Sequence, residues 1–363
     1  MRIRILSFSL LLATAQAYTA KNNTVIATIP TGITPAGLAV TPNNRYAYVA
    51  NNNNYGIDNG DSVSVLDLKT NLLKETINHE SFNQPYTVTI NKSGTRAYVT
   101  NSNSTTISVI NTATNHVIDT IDGFDGPSGM VITPDGMKAY VNNYGGPEGV
   151  GSGNGTTLRI VDLKTNTIIG DPIEVGTAPA ALAMSPDGKF VYVINYENGE
   201  PFTGTMDVID TNTNVSIAII PGLSGPFAIA ITPNGKYAYI TNFGSNNFEP
   251  FGTTVSVVNL TGNYIASLID SIDVGIQPSG IAITPDGRFA YVTNYNTLYA
   301  GENFTDLTAG QGTVNIIDIK KNKVIAPTIA VDQSPANIAI APNGKHAYVT
   351  NYTSNTVNVI DLE

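Results

Sequence analysis

The residues able to do chemistry are mostly carboxylates and aromatics in irregular stretches of the chain. Asp58-Asn59-Gly60-Asp61 clusters oxygen ligands of the kind Ca2+ accepts. The run departs from the twelve-residue calcium-loop pattern, and solvated turn carboxylates explain it equally well. Glu148, Glu197, Glu249, Glu302 and Asp306 occupy similar stretches, together with Phe202, Phe251 and Tyr299. Two such carboxylates brought close would suit acid–base work, and several at one mouth would suit a divalent cation. His79, His116 and His346 are too dispersed for a three-His zinc centre or a haem ligand pair. The chain has no Cys, which removes disulfides, thiolate zinc sites and Cys catalysis. It has no G-x-S-x-G elbow, and the glycine-rich stretch Gly145–Gly155 does not match G-x-G-x-x-G. No cofactor is therefore expected, with Ca2+ or a similar divalent cation the one candidate.

The elements that position these residues are written seven times. Tyr48-Val-Ala-Asn51, Tyr98-Val-Thr-Asn101, Tyr140-Val-Asn-Asn143, Tyr192-Val-Ile-Asn195, Tyr239-Ile-Thr-Asn242, Tyr291-Val-Thr-Asn294 and Tyr348-Val-Thr-Asn351 recur in phase. Each follows a turn such as Thr133-Pro-Asp-Gly136, and each turn follows a short apolar run introduced by a proline: Pro35, Pro85, Pro127, Pro179, Pro226, Pro278 or Pro335. A third strand such as Thr254–Asn259 and a fourth such as Asn115–Ile121 complete the unit. Four short strands per ~40–50 residues, with Pro, Gly and Asn turns, predict propeller blades. No sustained 3.6-residue apolar period occurs, so almost no helix is expected.

The seventh unit stops at Glu363 without its fourth strand, while Asn23–Ile29 matches Asn115–Ile121. The expected fold is therefore all-β: a seven-bladed β-propeller with four antiparallel strands per blade, closed by the N-terminal strand completing the last blade. Closure hides the sheet edge an open array would expose. The repeated Tyr is expected to pack between blades and the repeated Asn to hydrogen-bond the start of the following loop. The Asp/Asn pairs at the third-to-fourth turns, Asp67/Asn71 among them, are read as turn caps.

These residues resemble the YVTN family of β-propeller repeat proteins, and the resemblance covers residues 18–363. It implies kinship with archaeal surface-layer proteins and with periplasmic or secreted propellers, a group united by architecture and binding. Fold alone does not assign function.

Arg2 and Arg4, the apolar run Ile5–Ala13 and Ala15-Gln16-Ala17 have the parts of a secretory signal peptide. Residues 1–17 are read as that segment, cleaved after Ala17, and residues 18–363 as one domain, secreted or periplasmic and without a membrane span. Eighteen Lys and Arg against 28 Asp and Glu give a net charge of −10.

In a four-stranded meander the second-to-third loops share a face with the blade-to-blade connections. Those loops, 52–61, 102–105, 144–156, 196–204, 243–253, 295–312 and 352–355, contain no Lys or Arg, and neither do the connections. Most cations flank the turns of the opposite face. The loop face is therefore acidic, carries exposed aromatics, attracts basic partners and repels nucleic acid. The expectation is a non-catalytic scaffold that binds a protein, peptide or cell-surface partner through Asp58, Asp61, Glu148, Glu197, Phe202, Glu249, Phe251, Tyr299, Glu302 and Asp306. Two alternatives remain open: a divalent-metal-dependent lactonase- or lyase-type propeller, and a structural surface-layer component.

Overall fold

Each Tyr-x-x-Asn segment forms the second strand of a four-stranded antiparallel sheet, and seven such sheets account for nearly all of the architecture. The structure, a computed structural model, describes residues 23–53, 60–146, 153–196, 203–244, 251–261, 266–300 and 306–363. Among them there is no helix. Blade 1 comprises Pro35–Val40, Tyr46–Asn51, Ser62–Asp67 and Leu72–Ile77. Blades 2 to 6 repeat the plan within 85–122, 127–174, 179–224, 226–273 and 278–331. First strands of neighbouring blades touch all the way round, blade 7 against blade 1 included, so they form the innermost ring about an axis.

The ring closes as the repeat arithmetic predicts. Blade 7 holds Pro335–Ile340, His346–Asn351 and Thr356–Asp361, and its fourth strand is Thr24–Pro30. That strand pairs from Thr24↔Asp361 to Pro30↔Thr356. Every third-to-fourth pairing, this seam included, carries a register shift. Bulges there add twist to the outermost strand, which discourages edge-to-edge pairing.

Burial follows the pattern of each strand. The middle strands are buried almost throughout, for example Tyr46–Asn51 and Ser62–Asp67, whereas the fourth strands leave Ile26, Leu72, Ile118, Ile219 and Ile269 exposed on the rim. The repeated tyrosines are buried between blades as expected. Three of their hydroxyls also reach the turn Asn of the next blade: Tyr140 to Asn214 (2.8 Å), Tyr239 to Asn322 (2.6 Å) and Tyr48 to Asn115. Tyr291 donates to Asn23 (2.8 Å), so the N-terminal segment supplies the Asn that the truncated seventh unit lacks. These Asn residues do more than cap turns. They hold positive φ, 56° at Asn115 and 57° at Asn214, a backbone Asn tolerates better than most residues.

The strand-ending Asn acts differently from the expected contact with the start of the loop. Its Nδ2 grips the far end, on the third strand: Asn51 donates to Ser62 and Ser64 (3.0 Å each), and Asn351 to Thr356 (3.1 Å) and Asn358 (2.9 Å). The same third-strand positions receive the incoming blade connection, as in Gly275 N–H to Asn315 (2.9 Å) and Asp332 N–H to Asn358 (2.8 Å). In blade 4 the position is the buried carboxylate of Asp207, which accepts from Gly176 N–H, Asn195 and Ser216.

Candidate functional site: the loop-face mouth of the axis

The first strands run from the loop face toward the opposite face, because each starting proline pairs with the strand-ending Asn: Pro85↔Asn101, Pro226↔Asn242. The residue before each proline is left-handed, with φ from 47° at Thr34 to 57° at Gly126. Five of the seven bear a Cβ, at a cost of roughly 1–2 kcal/mol each. This conformation aims a carbonyl at the neighbouring strand. In all seven blades it accepts the N–H of the residue following Tyr-x-x-Asn: Asn52, Ser102, Tyr144, Tyr196, Phe243, Tyr295 and Tyr352 at 2.9–3.1 Å. Seven side chains are thereby set on one ring around the loop-side mouth.

Five of those seven are aromatic, and they occupy consecutive blades 3 to 7. Tyr196 is buried and donates its hydroxyl to the Gly244 carbonyl. Phe243 and Tyr295 meet edge-on at 6.0 Å between ring centroids, and the Tyr295 and Tyr352 rings are tilted against each other at 6.3 Å. Asn52 and Ser102 leave the arc open at blades 1 and 2. Two aromatics of the first strands stand inside it: Phe227 packs on Phe243 at 5.2 Å, and Tyr86 lies in the electrostatic reach of Tyr144 and Tyr352. Burial pushes the Tyr86 hydroxyl well above the ordinary phenol range, and the two tyrosines reinforce the shift. Tyr86 and Phe227 come from opposite sides of the ring, where the other blades carry Ala or Ser.

Behind them is an axial cavity of about 220 Å3 lined by first-strand residues of six blades, small and aliphatic side chains alongside polar groups that include Thr87 and Asn337. Small residues there allow the blades to converge. A Cβ on Gly37 would meet the Tyr86 carbonyl at 2.5 Å, and one on Gly280 would meet the Asn337 Cα at 2.7 Å.

Of the residues expected from sequence to form the site, Asp58, Glu148, Glu197, Phe202, Glu249 and Glu302 lie outside the described residues. Asp61 is half-buried and accepts the Gln84 N–H at 2.8 Å, so one of its oxygens holds the connection into blade 2. Burial raises its pKa, against the hydrogen bonds from Gln84 and Asn53. Phe251 is half-buried and opens the third strand of blade 5, opposite Gly244. Tyr299 and Asp306 fall on the paired strands Thr297–Ala300 and Asp306–Ala309, a small hairpin within the longest loop. Asp61 and Phe251 belong to different blades, 1 and 5. The loops flanking Phe202 and Phe251 are shorter than the sequence suggests, because strands Thr203–Asp210, Tyr237–Gly244 and Phe251–Asn259 extend into them. Among the described residues no three His, Asp or Glu side chains gather as a metal site.

Tyr86, Phe227 and Tyr352 were not among the expected site residues. A signal for the arc was available, since the position after each Tyr-x-x-Asn reads Asn, Ser, Tyr, Tyr, Phe, Tyr, Tyr around the ring.

The architecture is that of a seven-bladed β-propeller, and comparisons with known proteins agree. A family model described as "Lactonase, 7-bladed beta-propeller" matches residues 205–363. The seven-bladed beta-propeller protein Rv1057 of Mycobacterium tuberculosis is 25% identical over 263 residues, covering 65% of this chain and 61% of that protein. The PE-PGRS family protein PE_PGRS18 of the same organism is 48% identical over 59 residues, 16% of this chain and 13% of that protein. These matches thus span less than two thirds of either relative. Among solved structures, a chain of Kuenenia stuttgartiensis hydrazine synthase superposes with a TM-score of 0.75 at 20% identity, covering 96% of this chain and 99% of that one. The Myceliophteria thermophila Cps50 (Swd1) propeller domain gives 0.69 at 9% identity, with 94% and 99% covered. At such identities the likeness is one of fold.

Proposed function

We propose that the protein is a secreted or periplasmic recognition scaffold whose loop face binds a basic protein, peptide or cell-envelope partner. The carrying observation is the aromatic arc Tyr144–Tyr196–Phe243–Tyr295–Tyr352, set by a repeated backbone device and surrounded by loops with no Lys or Arg. Aromatic side chains contribute large contact area at low entropic cost, and an acidic rim steers cationic partners. Irregular loops on a rigid scaffold are where binding groups concentrate. The test is capture from the host envelope by the full chain and by a chain in which loop 295–312 is replaced with the Ser102–Thr105 type. The proposal expects equal melting temperatures, weaker capture by the trimmed chain, and capture that falls with added salt. Capture that survives trimming of all five long loops would overturn it.

A second reading, a divalent-metal-dependent lactonase- or lyase-type propeller, is favoured by the family match over residues 205–363. The described first strands offer the hydroxyls of Tyr86 and Thr87, the Asn337 amide and backbone groups at the axis, a poor donor set for a hard cation that prefers carboxylates. A Ca2+- or Mg2+-dependent rise in melting temperature that EDTA reverses, together with lactone hydrolysis, would establish this second reading.

A further inference from the structure

We infer that the loop-side mouth of the axis is a pocket for a single weakly hydrated organic cation, a quaternary ammonium or guanidinium group, taken up among the rings of Tyr86, Tyr144, Phe243, Tyr295 and Tyr352. The inference deepens the reading of the loop face as a docking surface for a basic partner and names the group that enters it.

Three observations carry it. First, the ring position after Tyr-x-x-Asn breaks the sevenfold symmetry. Five consecutive blades supply aromatics there, three of them in ring contact from Phe243 through Tyr295 to Tyr352, and the two remaining blades supply Asn52 and Ser102, so the mouth is chemically asymmetric. A second position breaks the repeat at the same mouth, with Tyr86 and Phe227 standing where the other blades carry Ala or Ser. Second, the rings continue inward through Phe227 and Tyr86 to a cavity of about 220 Å3. That is below the ~300–1,000 Å3 of pockets that enclose a drug-sized ligand, so the site suits one head group or side-chain tip. Third, the whole loop face lacks Lys and Arg while the chain carries a net charge of −10.

Aromatic rings attract cations through their quadrupole, most strongly where water is excluded. A primary ammonium is strongly hydrated and resists leaving water, whereas a guanidinium is weakly hydrated and stacks on rings. Quaternary ammonium groups share that advantage, and clustered aromatic side chains are a recurrent way of holding them.

The test is calorimetric titration of the full chain with choline, with N-acetylarginine amide and with dimethylbutanol, the neutral carbon isostere of choline. Stronger binding of choline assigns a quaternary ammonium source, and stronger binding of the arginine derivative assigns a guanidinium source. Dimethylbutanol is expected to bind at least about ten-fold more weakly than the better cation. Tyr352→Leu and Tyr295→Leu should each weaken cation binding roughly two- to thirty-fold, the range of one cation–π contact, while Tyr352→Phe retains it. Equal binding of the neutral isostere would overturn the inference in favour of a plain apolar pocket. Failure of both cations to bind, or binding unchanged in the two Leu variants, would also overturn it. If small cations fail while loop trimming still abolishes partner capture, this inference falls and the docking surface stands. If cations bind while capture ignores the loops, the reverse holds.

Discussion

Ile29 and Ile26 lie three residues apart on the N-terminal strand and give the sharpest test of ring closure. Ile29 is 1% exposed and packs in one cluster with Leu38, Val49, Leu66, Tyr348, Val357 and Val359, joining blade 7 to blade 1. Ile26 is 49% exposed on the rim. Ile29→Ala removes three carbon groups from a close-packed site. At ~0.8 kcal/mol for each buried group the transfer loss is about 2.4 kcal/mol, and an unrelaxed cavity raises the total to roughly 3–4 kcal/mol. Ile26→Ala should cost under about 1 kcal/mol, since half of its surface stays in water. Equilibrium urea unfolding measures both. The expected result is a lower midpoint for Ile29→Ala with an unchanged slope and one transition, because the seam is part of a single ring. Equal costs for the two substitutions would refute the reasoning. So would a second transition confined to the seam, since the N-terminal strand would then be an appendage.

Two further outcomes follow from buried polar groups. Burial is the leading cause that pushes Tyr48, Tyr192, Tyr239 and Tyr348 up to about 12, from an ordinary value of 10.0. The folded state keeps these protons while the unfolded chain releases them, so stability is intact below pH ~10 and falls as pH rises from ~10 toward ~12, by about 1.4 kcal/mol per pH unit for each tyrosine. Alkaline unfolding followed alongside tyrosinate absorbance should show the two events together, and free ionisation of all tyrosines in a still-folded chain would contradict this. At Asp207, substitution by Ala should cost about 2–4 kcal/mol by stranding the Gly176, Asn195 and Ser216 donors, whereas Asp207→Asn should cost under about 1 kcal/mol, because Asn315 and Asn358 fill the same position in blades 6 and 7. Chemical denaturation of both variants checks the pair, and similar losses would show that the negative charge itself is required.

The fold was legible because the propeller repeats its physics seven times. Tyr-x-x-Asn places a large buried ring and a buried amide at fixed strand positions, and the missing fourth strand at Glu363 points directly to Asn23–Ile29. The clasp from Tyr291 to Asn23 was implicit in the Asp/Asn register but needed the three-dimensional neighbour to be seen, since the partner lies 268 residues away. The mouth was harder to read. Tyr144, Tyr196, Phe243 and Tyr295 look like the first residues of long insertions, whereas their backbones belong to the repeat through hydrogen bonds to left-handed residues before proline. Tyr352 begins a four-residue loop and so carries no insertion signal. Tyr86 and Phe227 sit in first strands whose apolar pattern reads simply as core. Asp61 shows the converse, a loop carboxylate engaged in holding the connection into blade 2.

The claim that the loop-face mouth is the working surface is tested most directly by amide hydrogen exchange of the full chain with and without a saturating arginine-rich peptide. The account predicts slowed exchange at Tyr144, Tyr196, Phe243, Tyr295 and Tyr352 and in the loops that follow them, with turns 133–138 and 284–289 unchanged. Protection confined to those turns, or no protection anywhere on the ring of residues after Tyr-x-x-Asn, would contradict it.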